Sequence, residues 1–173
     1  MDNMIPHLWF DTQALEAATF YTTLFEQSKI NWTTVVKDTP SGDSEQLSFT
    51  LAGHDFFAIS AGPFFTFNPA ISFSVYCDTM EEIQTLWDKL MDGGTAVMEL
   101  DTYSFSPHYG WLTDRYGLSW QMMLVNEPYE QKIYPSLTFS GEQYLKAAEA
   151  GAFYLSVFQD AKKGDIFYYE EEA

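Results

Sequence analysis

"AISFSVYCDTMEEIQTLWDKLMDGG", residues 70–94, decides the fold. Its opening "AISFSVYCD" is rich in β-branched and aromatic residues and ends at an Asp, which predicts a strand. Thr79 stands where a helix cap is expected, Glu81 and Glu82 complement the positive helix end, and Gly93 and Gly94 supply a stop. Three further strand-like runs follow, "TAVMELDTYSFSP", "YGWLTDRYG" and "LSWQMMLVN", the last two joined by a tight "DRYG" turn. The unit is therefore a strand, a helix and three strands.

The same order is present upstream. Ile5 to Phe10 is an apolar run bounded by Pro6 and Asp11, and predicts a short strand. Asp11 or Thr12 is expected to cap a helix over Gln13 to Phe25, where Leu15, Ala18, Tyr21 or Thr22, and Phe25 recur at helical spacing. "INWTTVVK", "EQLSFTLAG" and "HDFFAISAG" then read as antiparallel strands divided by "DTPSGD" and by Gly53 and His54. The pattern is thus written twice within residues 1–125.

It then begins a third time. "IYPSLTFSGEQYLKAAEAGAFYLSVF", residues 133–158, repeats "IPHLWFDTQALEAATFYTTLF", residues 5–25, with Pro, Leu and Phe in step at the front and Phe-Tyr-x-x-x-Phe at the back. Ser136 stands where His7 stands, and four additional residues lie between Phe139 and Phe153. Residues 126–132, with Asn126, Glu127 and Pro128, read as a linker, and 133–173 as an incomplete second unit of a strand, a helix and room for one more strand. A segment of about 40 residues buries too little apolar surface to fold alone. Leu137, Phe139, Ala148, Phe153, Tyr154 and Phe158 are nevertheless too apolar for a disordered tail. Docking onto an open sheet edge, of its own domain or of a second chain, is expected. So is a homodimer in which residues 133–169 cover apolar surface, with exchange through the linker left open.

Composition narrows the partners. The 173 residues are 46% hydrophobic and 18% aromatic, ample for a core. The formal net charge is −17, and the eight basic residues are scattered, which argues against nucleic acid and anionic membrane surfaces as partners. The N-terminus has no basic region followed by an apolar stretch, and no run is long enough to span a membrane, so a cytoplasmic location is the default expectation. Cys77 is the only cysteine, in a run that predicts burial as a small hydrophobe rather than nucleophilic use. There is no P-loop and no local motif of a Ser-His-Asp or Cys-His site.

At "IPHLWFD…EAATFYTTLF", "GPFFTFNPAISFSV" and "GWLTDRYGLSWQ" the sequence resembles the PhnB-like family, often labelled after 3-demethylubiquinone 3-methyltransferase, within the vicinal oxygen chelate superfamily of glyoxalases and extradiol dioxygenases. The resemblance implies an α+β fold of paired βαβββ modules, the glyoxalase/bleomycin resistance/dioxygenase-like fold, here with a partial C-terminal repeat. It also implies a cleft. The methyltransferase label finds no support in these residues, because no Gly-rich turn of the kind that holds S-adenosylmethionine joins a strand to a helix.

In metal-dependent members of the superfamily the ligands fall, by resemblance, on His7, a stretch near Ala58, Ser72 and Gln121. Only His7 is a strong ligand, whereas a catalytic divalent metal ordinarily takes three from His and carboxylates. No cofactor is therefore expected; a metal, were one bound, would rest on His7 and Gln121. His54 and His108 are read as loop residues, and Arg115 as a solvated charge or an ion-pair partner of Asp114. The expected site is an apolar pocket for a small aromatic or amphipathic molecule, built from His7, Trp9, Phe57, Ser60, Phe65, Ser72, Trp111 and Gln121. Strand alternation puts His7 and Trp9 on the face opposite Leu8 and Phe10, and Gln121 on the face opposite Trp120. A divalent-metal lyase, isomerase or dioxygenase is the alternative function, and an interaction module carried by the partial repeat is a third.

Overall fold

Alternation along each strand decides which side chains meet a helix, and the two modules use this rule in the same way. In the computed structural model, which describes residues 4–164 and 166, the chain forms one unit up to Leu137 and a second from Thr138 onward. The first module comprises β1 (His7–Phe10), α1 (Ala14–Thr22), β2 (Lys29–Thr39), β3 (Gly42–Leu51) and β4 (His54–Ser60). Its sheet has the order β1-β4-β3-β2, with β1 parallel to β4 and the remaining pairs antiparallel. The second module comprises β5 (Ile71–Cys77), α2 (Met80–Met91), β6 (Thr95–Tyr103), β7 (Ser106–Thr113) and β8 (Ser119–Leu124). With β9 (Ile133–Leu137) these strands form a sheet of order β6-β7-β8-β5-β9, in which β5 runs parallel to β8.

Each helix covers one face of its own sheet. Ala14, Ala17, Ala18 and Tyr21 of α1 are buried, and the small alanines let the helix lie close against β3 and β4. Ile83, Leu86, Trp87 and Leu90 form the buried stripe of α2. The two helix-side faces join in one core, where Tyr21 meets Trp120 at 5.3 Å between ring centroids and Phe56 meets Phe73 at 5.3 Å. Cys77 is fully buried there, and burial pushes its thiol up to about 12. Native protein should accordingly leave an aromatic disulfide reagent unconsumed, with one thiol per chain appearing only in denaturant; rapid native reaction would contradict this packing.

The ends of the helices differ in origin. Thr79 caps α2 as expected, its hydroxyl accepting from the Glu82 N–H at 3.1 Å, and Gly93, at φ +78°, turns the chain out of it. For α1 neither Asp11 nor Thr12 caps. Gln13 holds the cap position without a side-chain bond, and the Ala14 N–H donates to Ser60 Oγ at 3.0 Å, so the cap is supplied from β4.

The expected linker and second-unit boundary differ from what is observed. β9 pairs antiparallel with β5, from Ile71↔Leu137 to Val75↔Ile133, so residues 133–137 complete the second sheet and the first unit ends at Leu137 rather than residue 125. Residues 126–132 are tied to that unit as well. Tyr129 donates to Asp78 at 2.8 Å, Lys132 pairs with Glu82 at 2.6 Å, and the Lys132 carbonyl accepts from Tyr76 N–H at 2.9 Å. An edge left open by β5 outweighs the polar composition of the stretch before it. His54 and His108, read as loop residues, open β4 and lie within β7.

The second unit holds a 3₁₀ turn, Gly141–Gln143, and α3 (Ala147–Val157), in which no residue is buried. Any further strand would fall among residues 165 and 167–173, outside the described residues.

Candidate functional site

The face of the first sheet turned away from α1 carries the aromatic part of the expected site. Leu8 and Phe10 are buried toward the core, while His7 is exposed and Trp9 half-buried on the opposite face. In register beside them stand Phe57 and Ile59 of β4. His7 meets Phe57 edge-on at 6.1 Å, Trp32 of β2 lies 5.9 Å from Phe57, and Trp9 makes a T-shaped contact with Phe65 at 5.0 Å. The Trp9 indole N–H donates to the Gly62 carbonyl at 2.9 Å, which fixes the ring. Next to β1 a cavity of about 200 Å³ is lined by His7, Trp9, Phe65, Phe67, Ile71 and Phe73 among others. Asn31 gives this face a polar margin, donating to Ser48 at 3.2 Å and Thr50 at 3.0 Å.

Ser72, Trp111 and Gln121 also come together, but on the second sheet. Trp111↔Gln121 are paired across β7 and β8. Tyr109 donates its hydroxyl to Gln121 Oε1 at 2.6 Å, and Gln121 Nε2 donates to Ser72 Oγ at 2.7 Å. Trp111 donates to Ser119 at 2.7 Å, and the Ser74 and Ser136 hydroxyls share a bond of 2.7 Å. The amide of Gln121 is therefore held at both ends.

The eight expected residues thus divide. His7, Trp9, Phe57 and Phe65 occupy one sheet face, Ser72, Trp111 and Gln121 occupy another, and neither described cavity contains members of both sets. Ser60 leaves the set: it shares the core-facing side of β4 with Phe56 and Ala58 and caps α1. Among the described residues no group of three or more His, Cys, Asp or Glu could hold a metal ion, and the fallback pair His7 and Gln121 is split between the two sheets. A larger cavity, about 510 Å³, lies apart from all eight residues, between Leu24, Phe25, Asp78, Thr79, Glu82 and Lys132. Among its wall charges Lys132 pairs with Glu82, and Asp78 accepts from Tyr129, while Glu26 also lines the wall.

Asp114, named in the sequence only as an ion-pair partner for Arg115, does not pair with it. It is 4% exposed, and its Oδ2 accepts from Tyr21 at 2.7 Å and from the Trp120 indole at 2.9 Å, while Oδ1 accepts from the Tyr116 and Leu118 amides at 2.8 and 3.0 Å. Burial raises its pKa above the ordinary carboxylate value, against these four donors, which lower it. Arg115 turns away instead, pairing with Asp92 at 3.0 Å and lying 4.6 Å over the Phe20 ring. Asp114 therefore locks α1 of one module to the β7–β8 turn of the other, and Tyr21, pushed upward by burial and by Asp114, stays protonated.

Two βαβββ modules, each with its helix on one face of its sheet, define a protein of the glyoxalase/bleomycin resistance/dioxygenase fold. The chain belongs to the PhnB-like family: the family described as 3-demethylubiquinone-9 3-methyltransferase matches residues 2–123. The PhnB protein from Bacillus cereus, which carries the same methyltransferase description, is 39% identical, with 72% of this chain and all of that one covered at a TM-score of 0.66. Protein PA1353 from Pseudomonas aeruginosa is 21% identical over 72% of this chain and 98% of its own, TM-score 0.61. The fosfomycin resistance protein FosX from Listeria monocytogenes is 10% identical over 71% and 93%, TM-score 0.53. The last two show the fold alone. No curated protein matches the chain. Among the described residues no helix is long and apolar enough to cross a membrane.

Proposed function

We propose that the chain binds a small apolar or aromatic molecule on the His7, Trp9, Phe57 and Phe65 face without a catalytic metal. One observation carries the reading. Trp9 and Phe65 meet edge to face beside an apolar cavity, and Phe65 is 65% exposed, so its ring is spent on presenting surface rather than on filling the core. At about 200 Å³ the cavity is smaller than the roughly 300 Å³ at which drug-sized pockets begin, which favours a ligand of one or two rings. His7 and Asn31 supply polar points for orientation. The methyltransferase label gains no support from the strand-to-helix turns at 11–13 and 78–79, which contain no glycine.

An apolar fluorescent dye should bind at one site and be displaced by aromatic fragments, with Trp9→Ala weakening it about tenfold or more. Phe65→Ala removes no core side chain and should weaken the dye in a protein of unchanged stability. Full binding by both variants, or stoichiometric uptake of nickel, zinc, manganese or iron at micromolar concentration, would sink this reading.

A further inference from the structure

The larger cavity, about 510 Å³, is of small-molecule size and shares no residue with the aromatic face. The first module supplies part of its wall. Leu24 and Phe25, just after α1, give it apolar surface, Glu26 and Gln27 follow, and Ala52 comes from the turn between β3 and β4. That turn is tied to the same segment, since the Ala52 amide donates to Ser28 Oγ at 3.0 Å and the Gly53 amide to the Gln27 carbonyl at 3.1 Å. Gln27 and Ala52 are held at φ +53° and +47°, a backbone cost that non-glycine residues bear where surrounding structure imposes it, and such positions gather at ligand clamps. The second module supplies Asp78, Thr79 and Glu82 at the start of α2, and Lys132 stands just before β9.

The charges on this wall do not balance. Lys132 is the one cation among the lining residues, and Glu82 takes it at 2.6 Å. Asp78 accepts from the neutral Tyr129 hydroxyl at 2.8 Å, and among the described residues neither Asp78 nor Glu26 forms an ion pair. Two carboxylates, one from each module, therefore line one cavity beside apolar surface without a cation of their own. The positive end of α2 does not reverse this preference, because Glu82 Oε2 already accepts from the Asp78 amide at 2.8 Å.

We propose that this cavity is a second binding site, for an aliphatic di- or polyamine, with one ammonium on Glu26, another on Asp78 and the alkyl stem against Leu24, Phe25 and Ala52. Ammonium groups donate to carboxylates while the stem covers apolar surface, which a bare metal ion cannot do. A net charge of −17 draws cations of every kind toward the chain, so the stem is what distinguishes this site from a counterion atmosphere.

Calorimetric titration of the full chain at low salt with 1,5-diaminopentane and with spermidine should give one saturable site per chain. Magnesium chloride matched in charge, and 1,5-pentanediol with the same stem and no charge, should not displace the diamine. Glu26→Gln, a change at an exposed residue, should weaken the diamine about fivefold, the upper end for an exposed ion pair, and Asp78→Asn should do the same. Lys132→Gln frees the Glu82 carboxylate and should tighten binding, and Glu142→Gln, in the second unit, should leave it unchanged. The readout uses no residue of the aromatic face, so the two proposals stand or fall separately. Absence of saturable diamine binding overturns the proposal. So does displacement by magnesium, indifference to Glu26→Gln, or weaker binding by Lys132→Gln, each of which would leave counterion association only.

Discussion

Replacing Asp114 by Asn is expected to lower stability by about 3 kcal/mol at pH 7, the range of losses that follow when buried donors are left without acceptors. Each carboxylate oxygen serves two donors, and the amide that replaces one of them brings donors of its own. The Tyr21 hydroxyl can rotate to accept, whereas the Trp120 indole and the Tyr116 and Leu118 amides cannot. The pH dependence has a definite sign. The folded-state pKa of Asp114 is raised, mainly by burial, so its protonation stabilises the fold below the unfolded carboxylate value of about 3.9, and this contribution is lost as pH rises through the native value. Denaturant midpoints should therefore separate wild type from Asp114→Asn more widely at acidic pH than at pH 7. The other carboxylates titrate alike in both proteins, so the difference isolates this group. A gap that widens with rising pH would contradict the assignment.

Gly110→Ala should cost about 2 kcal/mol through overpacking. Its Cβ would fall 2.5 and 2.9 Å from two atoms of the Trp87 ring and 3.2 Å from Leu100 Cα. Trp87 belongs to the buried stripe of α2, flanked by Ile83, Leu86 and Leu90, so the ring has no free space to enter. Gly151→Ala in α3, where nothing lies within 4 Å of the added atom, is the control and should be neutral or slightly stabilising. Equal thermal midpoints for both variants would mean that α2 rides higher on its sheet than described.

What the sequence revealed and what it hid follow from the range of the interactions. The strand–helix–three-strand order, the Thr79 cap, the placement of His7 and Trp9 opposite Leu8 and Phe10 and that of Gln121 opposite Trp120 rest on neighbours within a few residues, and all are legible from local pattern. Ser60 was not. A serine in "FFAIS" looks like a pocket hydroxyl until β4 is seen to lie beneath the start of α1, 46 residues earlier in the chain. Asp114 looks like a surface turn residue because its partner Tyr21 stands 93 residues away. One signal pointed to it: an Asp before "RYGLSW" offers a carboxylate to backbone amides two and four residues on, as Asx turns do. The division of the expected site between two sheets was beyond reach for another reason. Alternation assigns a side chain to a face, but not one sheet's face to another's.

The indole N–H resonances of Trp9 and Trp32 report directly on whether this face takes an apolar ligand without metal. The metal-stripped full chain should be titrated with aromatic fragments and followed by two-dimensional nitrogen–proton spectra, in which the core Trp120 indole, held by Asp114, serves as the internal standard. The Trp9 resonance should shift saturably, with Trp32 following and Trp120 still, unchanged by chelator. Silence at Trp9 until a divalent metal is added, or a shift centred on Trp120, would contradict it.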